Sequence, residues 1–422
     1  METSNVKIKN RLLYNFCALF LALIIILNGN SIFTSIPGKS TQYFNIMFIC
    51  FVMAIIVSLF SVKISEYSLR SNIIIIIGLF IYNFCLVIQP ANVSDYLYIF
   101  KLDVAFTLIF SYYAFCCSNN QLPQLFKSYV FLMTIFGVIS LFFWIFGSIL
   151  HVISPNTSVL SNWASFNGFA NTVPSYHNLY FETQQVNGII RNSAIFTEAP
   201  MASLHFSIAF TIEMLFRSQS KRHYFRSFVL LFSVLSTFSS TGYIVIILVI
   251  GYKILISDSS QIFIKLKPLL ILILIVIGLV LVGNIFSEKM GTESGSIRVD
   301  DYKAAFNAWK DKPIMGWGIS SLEIRNYMSL WRGYNLGFSS TGIDIMAHSG
   351  IYGIIPYLLC LIYGIKKNVV LKNINMLMFI SLIIYLVLTT LFTNTFLLFN
   401  MFAFIFYISP YTKEKNYGGE IL

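Results

Sequence analysis

Long apolar runs alternate along the chain with short polar breaks. A helix that crosses about 30 Å of hydrocarbon needs about 20 residues. Runs of that kind fall near 12–33, 43–62, 72–89, 97–117, 128–150, 194–216, 268–286, 346–365, 374–391 and 394–410. A further run, 227–256, is too long for one span, and "SSTG" at 239–242 divides it into two short helices meeting at a turn. The pattern predicts an all-α polytopic membrane protein of about twelve transmembrane helices, a single integral membrane domain over 1–422. Two longer polar segments interrupt it, a first extracytoplasmic loop at 151–193 and a large one at 287–345.

Both loops carry enough aromatic residues to be ordered. The first has Trp163, Phe166, Phe169, Tyr176, Tyr180 and Phe181. The second contains "SIRVDDYKAAFNAWKDKPIMGWG", in which Val299, Tyr302, Ala305, Phe306 and Trp309 recur at helical spacing. An amphipathic helix is therefore expected to lie over the bundle. Arg298 opens it, Asp300 and Asp301 sit near its start, and Pro313, Gly316 and Gly318 end it. No internal repeat and no inverted-repeat pattern of a transporter is visible.

Composition agrees with the hydropathy. Charged residues make up 11% of the chain and hydrophobic ones 57%, against about 25% charged in a soluble domain. The net charge of +11 does not point to nucleic acid, because the basic residues sit mostly in short loops between spans. With the N-terminus inside, the inner segments hold 18 of the 28 Lys and Arg, and the short outer loops hold Lys39 alone. The positive-inside rule then puts both termini in the cytoplasm, and dividing 227–256 keeps every later loop on its expected side. The first apolar run, preceded by Lys7, Lys9 and Arg11, reads as a retained span and not a cleaved signal. All six cysteines lie in or beside apolar runs, with no CxxC pair and no loop disulfide.

Candidate chemistry gathers at "RNSAIFTEAPMASLHF", residues 191–206. "FTEAP" reads as a helix start, with Thr197 as N-cap, Glu198 in the first turn and Pro200 where its missing N–H is tolerated. The free N–H groups of that turn would form an anion site, and the Arg191 guanidinium suits bidentate phosphate recognition. An interfacial Arg191–Glu198 salt bridge is the competing structural reading. His205, near mid-membrane, reads as a hydrogen-bonded packing residue ahead of a catalyst, and Glu213 as a carboxylate reaching the inner interface. Lys101 and Asp103 are two apart, so they do not share a helix face, and each needs a partner in the bundle. His151, His177 and Glu182 have no metal-ligand spacing. The chain has no P-loop, no GxGxxG, no HExxH and no G-x-S-x-G. An outward-facing enzyme without nucleotide machinery needs an activated substrate, and lipid-diphosphate-linked sugars meet that need. Cationic side chains would stabilise their leaving group.

These features resemble the O-antigen polymerase (Wzy) and O-antigen ligase superfamily. Its members have about twelve spans and a large outer loop before the last three. An arginine followed by a Gly-Phe-apolar-Glu-Pro-like segment enters a span there; "RNSAIFTEAP" is similar, with Ala194 in place of the common glycine. An arginine-bearing helix ending in P-x-x-G-x-G is matched by Arg298 and "KPIMGWG" at 312–318, and the "FSSTG" turn at 238–242 resembles that between two short central spans. Ligases usually carry a His-Asn upstream of a Gly-x-x-Gly; here Ser339 and Ser340 stand at that place, and His348 lies beside Gly350 and Gly353. That departure favours a polymerase.

The resemblance implies transfer of a growing glycan from undecaprenyl diphosphate to an incoming lipid-linked repeat unit, on the outer face of the bacterial cytoplasmic membrane. It implies Arg191, Arg298 and Lys101 as diphosphate-binding residues, and Glu198, then His348, as the base or acceptor-positioning group. It implies no cofactor and no metal. The expected partners are the lipid-linked donor and acceptor, the bilayer, a chain-length regulator and a flippase, and no nucleic acid. An O-antigen ligase, a flippase of lipid-linked sugars and a non-catalytic assembly protein stay open as alternatives.

Overall fold

The computed structural model describes residues 7–64, 66–87, 96–118, 121–166, 169–186, 188–217, 221–256, 293–319, 321–332 and 336–410, with 268 and 272 besides. Apart from 268 and 272, the expected span at 268–286 lies outside the described residues, as do the loop residues 287–292 and the tail with Lys413 and Lys415.

The described chain is mostly helical. Its helices are α1 (Arg11–Asn28), α2 (Ser40–Phe60), α3 (Glu66–Val87), α4 (Tyr96–Cys116), α5 (Gln124–Phe143), α6 (Ala199–Phe216), α7 (Lys221–Ser236), α8 (Ser240–Ile256), α9 (Glu293–Asp311), α10 (Thr341–Val370), α11 (Ile374–Thr389) and α12 (Phe396–Tyr407). Among the described residues, seven helices are long and apolar enough to cross a membrane, and α8, α11 and α12 are shorter apolar helices. The long run 227–256 is two helices. Between them Phe238 takes a left-handed φ of 48°, and Thr237 and Phe238 donate their N–H groups back to Val234 O and Leu235 O.

At the centre stands α6, all of whose residues except Pro200 and Met214 are buried. It therefore has no lipid-facing side, and its polar residues must be satisfied inside the bundle. His205 is: its Nδ1 lies 2.9 Å from Tyr129 Oη and its Nε2 3.2 Å from Gly29 O. That geometry supports the packing role. Glu213 lies three residues before the end of α6. It is fully buried, with Arg217 Nε at 3.2 Å and His223 Nδ1 at 3.4 Å.

Four short strands accompany the helices at the termini of loops: β1 (Lys7–Ile8) pairs β2 (Val62–Lys63), and β6 (Gln185–Val186) pairs β7 (Ile189–Ile190), both antiparallel. The first polar loop corrects the all-α expectation more substantially. It forms a three-stranded antiparallel sheet of β3 (Thr157–Phe166), β4 (Phe169–Tyr176) and β5 (Tyr180–Phe181). Thr157 lies opposite Ser175, Val159 opposite Val173 and Ser161 opposite Asn171. Residues rich in Val, Thr, Tyr and Phe suit a pleated surface with one covered side. Tyr176, Tyr180 and Phe181 are all buried, and the Phe181 ring meets Phe33 edge-on with centroids 6.0 Å apart.

In the second loop α9 is a helix, as its periodicity predicts, but it begins by Glu293, so Arg298, Asp300 and Asp301 lie further inside it than expected. Its packed face also differs. Ile297, Asp301, Ala304, Ala305 and Ala308 are buried, while Val299, Tyr302 and Phe306 are exposed. Small residues let the helix lie close to its neighbour, and the large apolar ones project outward. Tyr302 Oη still ties α9 to the end of α11 through Leu388 O at 2.7 Å.

The segment 312–318 explains its own glycines. Helix α10 is broken at Gly350 (φ 60°, ψ −158°). Such a break frees backbone groups that must find partners. Ile351 and Tyr352 donate to Pro313 O and Ile314 O, while Trp317 and Gly318 donate to Ala347 O and His348 O, all at 2.8–3.1 Å. A Cβ on Gly316 would sit 2.5 Å from His348 C, and one on Gly350 would sit 2.4 Å from Ile314 O. Only glycine permits this approach of two backbones.

Candidate active site

Both polar loops end at the same end of the bundle. Asn192 N–H donates to Ser236 O, Ser35 Oγ meets Ser161 Oγ at 2.8 Å, and Thr341 N–H donates to Thr390 O. The basic pairing of Lys7 with Lys63, and the cluster of Arg217, His223 and Arg226, lie at the other ends of these helices.

Glu198, not Thr197, is the N-cap residue of α6, with extended backbone angles (φ −152°, ψ 154°). Thr197 is occupied elsewhere: its N–H and its Oγ1 both donate to Asn30 O, at 3.0 and 3.1 Å. The expected anion site at the helix start is also filled. Ala199 N–H donates to Gln184 Oε1 at 3.1 Å, Pro200 has no N–H, and Met201 and Ala202 donate to Glu198 O. The Glu198 side chain makes no capping bond and is left to other work.

Arg191 is pinned against the α7–α8 turn. Its Nε donates to Thr237 O at 2.8 Å, Nη2 to Phe238 O at 3.2 Å and Nη1 to Gln184 Oε1 at 3.3 Å. A guanidinium has five N–H donors, so these three bonds leave two for a ligand. Gln184, not foreseen from sequence, thus joins Arg191 to the first turn of α6. Among the described residues no ion pair joins Arg191 to Glu198. The two nevertheless interact electrostatically, and so do Glu198 and Arg298.

Three elements therefore bring their charges to one place: the strand end before α6, the α6 N-cap and α9. Burial pushes the Glu198 carboxyl up from its usual value to about 7, against the opposing pull of Arg191 and Arg298. A carboxyl with that value exchanges a proton near neutral pH. Tyr243 of α8 lies in the field of Arg191, and Tyr385 of α11 in that of Arg298. Neither tyrosine carries a motif that marks it in the sequence.

The other sequence candidates have partners of their own. Lys101 donates to Asn45 Oδ1 at 2.7 Å, joining α4 to α2. His348 has Nδ1 2.9 Å from Gly318 O and Nε2 3.5 Å from Asp344 Oδ1, one helical turn away. With Asp103, Asn83, Asp344 and Asn394 it lines a separate cavity of about 60 Å³, room for a few water molecules. In the first loop, Glu182 accepts from Ser148 Oγ at 2.7 Å and Tyr176 Oη at 2.9 Å, and His177 Nδ1 meets Asn156 Nδ2 at 2.8 Å. Their contacts are those of a braced sheet.

A search of the curated proteins finds no match to this chain. Residues 225–358, about a third of the chain, match the family model described as O-antigen ligase. The matched stretch contains Arg298, the 312–318 segment and His348; Arg191 and Glu198 precede it. With its apolar helices, the chain is a polytopic helical membrane protein, and the match supports the O-antigen ligase/polymerase superfamily and a glycan-assembly function of that type, without separating polymerase from ligase.

Proposed function

We propose that this protein is a polysaccharide polymerase working at the outer face of the bacterial cytoplasmic membrane. It moves the growing glycan from undecaprenyl diphosphate to a hydroxyl of an incoming lipid-linked repeat unit. The observation that carries this reading is the Arg191–Glu198–Arg298 grouping: an acid titrating at about 7 between two cations, at the end of the bundle where both polar loops gather.

The acceptor hydroxyl oxygen forms a bond to the anomeric carbon as the bond from that carbon to the diphosphate oxygen breaks. The electron pair leaves with undecaprenyl diphosphate, and the hydroxyl proton passes to the Glu198 carboxylate. Arg191 and Arg298 hold the diphosphate and offset the charge that develops on it. Arg191 comes to the task with its planar fork already oriented by Thr237 and Phe238. Lys101 and His348, bound to Asn45 and to Gly318 and Asp344, are given no part in this step.

Ligation, with a lipid anchor as acceptor, is the second reading, because the matched family model carries that description. The placement of Ser339 and Ser340 where ligases bear histidine favours polymerisation. A deletion strain separates the classes. Loss of a polymerase leaves surface glycolipid with a single repeat unit. Loss of a ligase leaves bare acceptor while long lipid-linked polymer accumulates, and loss of a flippase leaves no outer-face product. Either of the last two outcomes overturns the proposal.

A further inference from the structure

A groove of about 570 Å³ runs between the first half of α9 and the segment that follows Met328. Gly295, Ser296, Val299, Asp300 and Lys303 form one wall, and Ser329 and Trp331 the other. Its size falls within the range of small-ligand sites. We infer that this groove is a saccharide subsite, in which one sugar ring of the lipid-linked glycan stacks on Trp331. The inference rests on the polymerase reading for the nature of the substrate and goes beyond it in placing the glycan.

Three observations support it. Trp331 is 52% exposed, unusual for the largest aromatic side chain in a braced loop. Its backbone is held in place by Ser329, two residues before it, and by Arg332, directly after it. Ser329 N–H donates to Asp300 Oδ2 at 3.1 Å, and the buried Arg332 reaches Asp301 Oδ1 at 2.6 Å, Asp300 Oδ2 at 3.3 Å and Gly337 O at 3.2 Å. A buried arginine between two aspartates is costly to assemble, and here it fixes the backbone that displays the indole. Such preorganisation lowers the entropy lost on binding.

The chemistry of the walls points to a sugar. A pyranose offers an apolar C–H face and a rim of hydroxyls. Trp331 and Val299 suit the face and Lys303 offers an ammonium to the rim, while the Asp300 carboxylate is taken up by Ser329 and Arg332 in holding the opposite wall. Gly295 lies three residues before Arg298, on the neighbouring turn of the same helix face. A glycan whose diphosphate rests on Arg298 has to pass around α9 by about one helical turn to reach the groove. The alternative occupant is the lipid headgroup region, since Leu330 beside Trp331 is fully exposed. The concave shape and polar wall favour the sugar.

The test uses the full-length protein in nanodiscs. The probe is the oligosaccharide released by mild acid from the host strain's own lipid-linked repeat units, so it carries no diphosphate. The wild type is expected to bind it saturably, with Trp331→Ala weaker by about tenfold and Trp331→Phe retaining most of the affinity. Undecaprenyl diphosphate without sugar is expected to bind Trp331→Ala as it binds the wild type. Equal melting temperatures of the variants exclude misfolding as the cause. The inference is overturned if Trp331→Ala binds the oligosaccharide like the wild type, or if the wild type does not bind it. It is equally overturned if the part of the tryptophan fluorescence lost in Trp331→Phe responds to lipid vesicles and not to the oligosaccharide. A ligase phenotype in the deletion strain, with Trp331-dependent oligosaccharide binding intact, would remove the polymerase reading and leave the groove standing.

Discussion

Helix α6 carries a glutamate at each end, and the two are held in opposite ways. Glu213 is buried with no exposed surface, and three basic groups close on it: Arg217 at 3.2 Å, His223 at 3.4 Å and Arg226 at 4.0 Å. Glu198 is only half-buried, and Arg191 and Arg298 act on it through their fields without closing to an ion pair. A carboxylate clasped by its cations is a clamp that fixes α6 to α7. One that is enclosed but not clasped keeps a proton affinity suited to exchange, while its neighbouring guanidiniums keep donors for a substrate. On the proposed reading, ionisable groups at both ends of one helix thus separate into structure and chemistry by their partners.

The comparison can be broken most strongly at Glu198. Glu198→Gln keeps the shape and removes the base, so polymer synthesis should fall by about 10²–10⁴-fold with the melting temperature unchanged. A normal rate in vesicles would remove Glu198 from the chemistry. Glu213→Gln should show the reverse pattern. It leaves the surrounding cations without their carboxylate, costing about 3 kcal/mol. Accumulation and thermal stability should drop, while the activity per folded molecule is preserved.

Arg191→Lys sharpens the contrast at intermediate size. Charge is retained, but one ammonium cannot serve Thr237, Phe238, Gln184 and a phosphate at once. A rate loss of about tenfold is expected, together with about 2 kcal/mol of stability from carbonyls left without donors. Full activity in lysates matched for protein amount would refute the oriented fork. The smallest effect is on pH. Arg298 draws the Glu198 value down, so Arg298→Gln should let it rise. The acid limb of the residual rate should therefore move to higher pH. A limb that stays in place or moves to lower pH would separate Arg298 from Glu198.

Much of the membrane frame was legible. Hydropathy depends on local composition and length, and charge bias on loop position, so the apolar runs and the turn between α7 and α8 follow from the residues themselves. The pairing of Arg191 and Glu198 as candidates was legible because they stand within one short polar entry to a span. What failed depends on distant partners. Thr197 lost the N-cap to Glu198 because its hydrogen bonds go to Asn30, 167 residues away. Gln184 took the helix N–H that had been read as open, and no local rule announces that. The sheet in the first loop did leave a signal, Asn167–Gly168 between two runs rich in strand-forming residues. Aromatic content alone concealed it. On α9 the spacing of the large apolar residues was right, but Ala304, Ala305 and Ala308 form the packed face. Periodicity locates a stripe and does not say which stripe a neighbour covers.

The most direct test is the rate of polymer formation against pH, with purified protein in vesicles and its lipid-linked repeat unit as the sole substrate. If Glu198 is the base, as proposed, it must be deprotonated to act, and burial holds it at about 7. The account predicts a rate that climbs as pH rises through about 7 and then levels. A rate already at its plateau near pH 5, or no polymer at any pH, would contradict it.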